Sequence, residues 1–135
     1  DLLKSICAEL PKWADPVSGV WYQVLDQPGR EGNYLEATCS AMFSYTFLKG
    51  IRMGYLDKDL LPYAKKVYED VVKEFISTDA QGLISLEKCC SVGGLGGDGR
   101  RMGDFAYYLS EPVRPNDSKG VGPFIWASLE MERLK

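Results

Sequence analysis

The chain has 135 residues, 45% of them apolar and 26% charged, with 16 basic and 19 acidic side chains and no histidine. That length and balance suit one folded unit and exclude a disordered tail. A net charge of −3 with no basic run leaves no footprint for nucleic acid, and the missing histidine excludes Ser-His-Asp triads, Cys-His dyads and histidine-ligated metals.

In chain order, a first helix is predicted over residues 2–13, where Leu2, Leu3, Ile6, Cys7 and Leu10 keep helical spacing. It stops at Ala14-Asp15-Pro16. No lead-in precedes this helix after Asp1 and no signal peptide is visible, which suggests a portion of a longer protein. Residues 20–26 are β-branched and aromatic and predict a short strand; residues 27–32 carry turn chemistry. A second helix is predicted over residues 33–50. It is apolar nearly all round, which marks a buried helix, and its one early charge is Glu36 in the first turn. Its uncharged stretch, residues 37–48, is 12 residues long, short of the roughly 20 that a membrane span needs.

A third helix is predicted over residues 60–76, with Asp59 as N-cap and Pro62 in the first turn. Ala64, Val67, Tyr68, Val71, Val72 and Phe75 form one stripe, and Lys65, Lys66, Glu69, Asp70 and Lys73 fill the other side. Residues 82–87 predict an extended run. Residues 89–103 form a loop in which six of fifteen residues are glycine, and residues 105–109 read as a third strand-like piece. A polar turn over residues 112–119 leads into a fourth, mostly apolar helix that begins near Gly122-Pro123. The four cysteines, Cys7, Cys39, Cys89 and Cys90, form no CxxC pair, and the adjacent two bridge each other only with strain. They read as small buried apolar groups in a reducing compartment, and the expected location is cytoplasmic.

The order helix, short strand, loop, buried helix occurs twice. Ala14-Asp15-Pro16-Val17-Ser18-Gly19-Val20-Trp21 and Ser77-Thr78-Asp79-Ala80-Gln81-Gly82-Leu83-Ile84 hold equivalent places. Alternating outer and inner helices mark helical toroids and solenoids, whose repeats bury their faces only against neighbours. Two copies are too few to close a ring. The loops collect at one end, over the N-termini of the inner helices, where function normally sits.

At these residues the chain resembles glycoside hydrolase family 105, the unsaturated rhamnogalacturonyl hydrolases. The resemblance is carried by Gly19-Val20-Trp21-Tyr22-Gln23-Val24-Leu25-Asp26, by Gly32-Asn33-Tyr34-Leu35-Glu36-Ala37-Thr38, by Cys90-Ser91-Val92-Gly93-Gly94-Leu95-Gly96-Gly97, and by Tyr107-Tyr108-Leu109-Ser110-Glu111-Pro112. It closes with Asn116-Asp117-Ser118-Lys119-Gly120-Val121-Gly122-Pro123-Phe124 and spans nearly the whole chain. One departure is Arg101-Met102-Gly103-Asp104, where the family commonly shows Arg-Asp-Gly-Ser, so no role carries over for a loop carboxylate.

The resemblance implies an all-α fold: two helix pairs of an (α/α)6 barrel, with short strands and loops at one end and residues 1–135 as the C-terminal part of a single domain. It implies release of a 4,5-unsaturated uronic acid from pectin-derived oligosaccharides by hydration of the vinyl ether, with one Asp as general acid and base. The usual pair of flanking carboxylates is not the expected machinery. The family's catalytic Asp, its site histidines and its Trp-Ala-Arg-Gly-Asn-Gly-Trp segment have no counterpart here. No catalytic, cofactor or metal residue is therefore assigned, and the chain alone is expected to be inactive. The expected partners are an unsaturated oligosaccharide and the missing helix pairs, or a second copy on the exposed inner helices; neither nucleic acid nor membrane is expected.

Five residues are candidates for sugar contact. Trp21 and Tyr34 flank the first loop and offer aromatic faces, against simple packing of the loop onto the rim. Glu36 can hold a hydroxyl or cap backbone amides. Arg101, or its neighbour Arg100, suits a substrate carboxylate, against a solvated loop charge. Tyr107 can point a hydroxyl into the pocket, and in a strand its neighbour Tyr108 faces the other way. The glycine loop lacks the Gly-Lys-Ser/Thr and strand context of a phosphate cradle. Two other functions fit the pattern: a stand-alone carbohydrate-binding module and a helical-repeat interaction scaffold.

Overall fold

The computed structural model describes residues 2–97 and 101–134. Helix α1 is Leu2–Trp13, α2 is Ala37–Arg52 and α3 is Leu61–Phe75. Strands β1 (Ile76–Thr78) and β2 (Ile84–Leu86) form an antiparallel hairpin, and β3 (Cys89–Cys90) pairs with β4 (Val113–Arg114) across the short helix α4 (Phe105–Ser110). Helix α5 is Ser118–Arg133. The inner helices α2 and α5 pack along each other, and α3 covers both. No described helix is long and apolar enough to cross a membrane.

The core lies between these layers. Val20, Trp21, Phe47, Leu48, Ala64, Val67, Val71, Phe75 and Ala127 are all fully buried. The stripe read on the third helix is the one that enters it, at Ala64, Val67, Val71 and Phe75. On α5 only Gly120, Pro123, Ala127 and Glu130 are buried, and Ile125, Trp126 and Leu129 stay exposed.

Several boundaries differ from the sequence reading. Residues 20–26 form no strand: one isolated bridge, Tyr22 to Leu35, is all that pairs there. Asn33 takes over the work of a ladder. Its Oδ1 accepts from the Val24 N–H at 3.2 Å, and its Nδ2 donates to the Val24 and Gln27 carbonyls at 2.9 and 2.8 Å. Helix α2 starts at Ala37, not Asn33, because Glu36 adopts extended backbone and caps it. It runs past Gly50 to Arg52. The stop is at Gly54 (φ 75°): its N–H donates to the Ile51 carbonyl, and the Tyr55 N–H to the Gly50 carbonyl, a Schellman end.

Asp57, not Asp59, caps the start of the third helix, through a 3-10 turn over Lys58–Leu60. Ile76 leaves that helix and pairs with Leu86. Residues 105–109 are helical, not extended, since the Asp104 carboxylate caps them by accepting from the Tyr107 N–H at 2.8 Å. The last helix begins at Ser118, earlier than Gly122, on an Asp117 cap whose Oδ1 accepts from the Lys119 N–H at 3.0 Å. Asn116, at φ 57°, holds that start to the β1–β2 hairpin through its Oδ1, which accepts from the Leu86 N–H at 2.9 Å.

Both inner helices thus start on a buried acid, Glu36 for α2 and Asp117 for α5. Gly120 brings the two starts together. A Cβ there would lie 2.8 Å from Cys89 Sγ and 3.0 Å from Thr38 Oγ1.

At the opposite end, Glu130 of α5 is 2% exposed and pairs with Arg52 and Lys49 of α2 and with Arg133. Its carboxyl is held down to about 2, first by the Arg52 hydrogen bond.

Candidate functional site

Three segments meet at the N-terminus of α2, and Glu36 joins them. Its Oε1 accepts from the Thr38 N–H at 2.9 Å and the Cys90 N–H at 2.8 Å, and its Oε2 from the Cys39 N–H at 2.6 Å. Its own N–H donates to the Trp21 carbonyl, and its carbonyl accepts from Ser40 Oγ at 2.7 Å. A carboxylate 2% exposed is tolerable only with such partners. One residue therefore caps α2, fixes β3 and anchors the first loop.

Beside it lies a cleft of about 410 Å³, lined by Gln23, Glu36, Thr38, Cys39, Met42, Cys90, Val92, Gly93, Tyr108 and Lys119. The first loop and α4 are joined at the rim. The Arg30 guanidinium sits 3.8 Å over the Phe105 ring, and Gly32 approaches Leu109 so closely that a Cβ would meet it at 3.0 Å. Tyr107 ties the glycine loop to α4, its hydroxyl accepting from the Gly94 N–H at 3.1 Å.

The five candidates separate. Glu36 lines the cleft. Tyr34 adjoins it: its hydroxyl is buried without a hydrogen-bond partner among the described residues. Burial pushes that phenol far up, with Cys90 and Glu36 adding to the effect.

Trp21 is fully buried. Its Nε1 donates to the Leu10 carbonyl at 2.8 Å and its ring meets Phe43 edge-on, so no face is open to a sugar. Its burial follows from those contacts, which dock the first loop onto α1 and α2. Arg101 is exposed and lies over Gly94, with its carbonyl accepting from the Gly96 N–H; it does not line the cleft. Arg100 lies outside the described residues. Tyr107 is turned to the glycine loop, and Tyr108 takes the place in the cleft. The two tyrosines do not alternate as in a strand, because the pair is helical.

Sequence reasoning missed Gln23, Thr38, Met42 and Lys119. Thr38 and Met42 are one helical turn apart on α2, a signal that was present. Lys119 was visible only with Asp117 read as the N-cap of α5.

Among the described residues that line the cleft Glu36 is the one carboxylate, and amides occupy both of its oxygens. The Cys39 thiol is pushed well up, first by burial and then by Glu36, which keeps it protonated and unreactive. Lys119 is the one cation among the described lining residues.

The model of Glycosyl Hydrolase Family 88 matches residues 1–135. A glycoside hydrolase of family 105 from C. acetobutylicum ATCC 824 superposes with a TM-score of 0.94 at 50% identity, over 98% of this chain and 37% of that one. A possible member of family 105 from Salmonella enterica serovar Paratyphi A superposes with a TM-score of 0.76 at 26% identity, over 99% of this chain and 32% of its own. Protein Atu3128 of Agrobacterium fabrum (strain C58) and the 24.9 kDa protein in the picA locus of Rhizobium radiobacter are each 41% identical over 119 residues. The chain spans about half the length of these two relatives, 51% in each case.

Proposed function

The chain belongs to Glycosyl Hydrolase Family 88 and folds as part of an (α/α)6 barrel, and from that membership we propose that it is the C-terminal portion of an unsaturated rhamnogalacturonyl hydrolase. The reaction is release of a 4,5-unsaturated uronic acid from pectin-derived oligosaccharides by hydration of the vinyl ether. The cleft at the N-termini of α2 and α5 contributes binding groups to the sugar site, and the general acid comes from helix pairs outside this chain.

One observation carries this division: Glu36, the one carboxylate among the described residues lining the cleft, has both oxygens engaged by backbone amides. A general acid must hold a proton and bring it within hydrogen-bond reach of the reacting carbon. The 135-residue chain alone is therefore predicted to show no loss of alkene absorbance on a lyase-generated unsaturated rhamnogalacturonan disaccharide. Turnover by this chain alone would end the proposal.

The remaining helix pairs are the proposed cover for the exposed Ile125, Trp126 and Leu129. The four free thiols suit the cytoplasm, the proposed location.

A further inference from the structure

Lys119 stands where a helix disfavours a cation. It is in the first turn of α5, at the positive end of the helix dipole. Its Nζ lies 2.7 Å from Asp117 Oδ1, yet its side chain remains 51% exposed and lines the cleft.

Asp117 does not cancel it. That carboxylate is fully buried and also takes the Arg114 guanidinium, at 2.8 Å from Nε and 2.5 Å from Nη2 to Oδ2. Two cations on one carboxylate leave an excess of one positive charge at the start of α5, the end of α5 already positive from its dipole. The acid that lines the cleft, Glu36, accepts three backbone amides and faces the positive end of α2. The rest of the nearby lining is uncharged: Gln23, Met42, Val92 and Tyr108.

We infer that Lys119 is the specificity-determining cation of the cleft: it reads the carboxylate of an acidic saccharide, and Asp117 positions it. The inference rests on the sugar-binding role proposed above and names the group that would discriminate acidic from neutral sugars. Gln23 and Tyr108 supply neutral hydrogen bonds to the ring, and Met42 and Val92 supply apolar contact.

The test is calorimetric titration of the 135-residue chain with the unsaturated rhamnogalacturonan disaccharide and with its methyl ester, at low and high salt. The acid should bind about tenfold more tightly than the ester, as expected for one partly exposed charge-assisted hydrogen bond. That preference should shrink in 1 M NaCl. Lys119→Gln should bring the acid-to-ester affinity ratio down to about one, and Lys119→Arg should keep it near tenfold.

Equal binding of acid and ester by the wild-type chain would overturn the role of Lys119 and leave the sugar site standing. An acid preference that survives Lys119→Gln would do the same. Binding of neither sugar would remove the sugar site itself, and this inference with it.

Discussion

At Gly120 and Gly122, two residues apart on α5, the same substitution has opposite consequences. Gly120 faces Cys89 and Thr38 at distances that leave no room for a methyl group, whereas a Cβ at Gly122 meets nothing within 4 Å. Gly120→Ala should lower stability by about 1–3 kcal/mol through overpacking between the starts of α2 and α5. Gly122→Ala should be neutral or stabilising by up to about 1 kcal/mol from helix propensity. Chemical denaturation of both variants checks the pair, and an unaffected Gly120→Ala would show that the two helix starts are not tightly apposed. Trp21 makes a related point. Its aromatic character was legible, but its exposure was not, because burial depends on Leu10 and Phe43, both distant in sequence.

Among the elements, the two acid-capped inner helices show how a cap becomes a joint. Glu36 serves amides of α2 and of β3 together. Glu36→Ala should therefore cost more than an ordinary cap, about 2–4 kcal/mol, because the buried Cys90 N–H is orphaned as well. Thermal unfolding reads that loss, and retention of wild-type stability would mean that water replaces the carboxylate.

The short helix α4 is the element that periodicity misassigned. Six residues rich in aromatics satisfy the pattern of a strand as well as a helix. Asp104 decides the matter by capping the Tyr107 N–H.

For the molecule as a whole, the α2–α5 pair is closed at its far end by charge. Glu130 titrates at about 2 in the folded state, below the ordinary carboxylate value of 4.5. Between those values the unfolded chain binds more protons, so stability rises with pH across that window. The contribution is complete above the ordinary value and is lost as pH falls through about 2. Asp117, held far down by Lys119 and Arg114, acts in the same direction. Denaturation midpoints measured from pH 2 to 5 should climb, and Glu130→Gln should flatten the climb. An unchanged slope would place the acid sensitivity elsewhere.

The exposed Ile125, Trp126 and Leu129 bear on assembly. In the absence of other helix pairs, sedimentation should show self-association that weakens on Trp126→Gln. A strictly monomeric chain would show that this face does not drive self-association.

The sequence by itself determined the helices that bury a long stripe and the family they belong to. The bounds of the first helix, the stripe of the third and the all-round apolar second helix are local periodicities, and local periodicity survives without knowledge of neighbours. The family was equally legible, since its motifs lie along nearly the whole chain and the matched model spans residues 1–135. Only the tertiary structure decided which end-loop residues face the cleft. Tyr108 rather than Tyr107, Lys119 rather than Arg101, and Trp21 in the core all depend on contacts between segments far apart in the chain. Those directions follow from where the caps Asp104 and Asp117 start α4 and α5 and from what each segment packs against, and hydrophobic periodicity encodes neither.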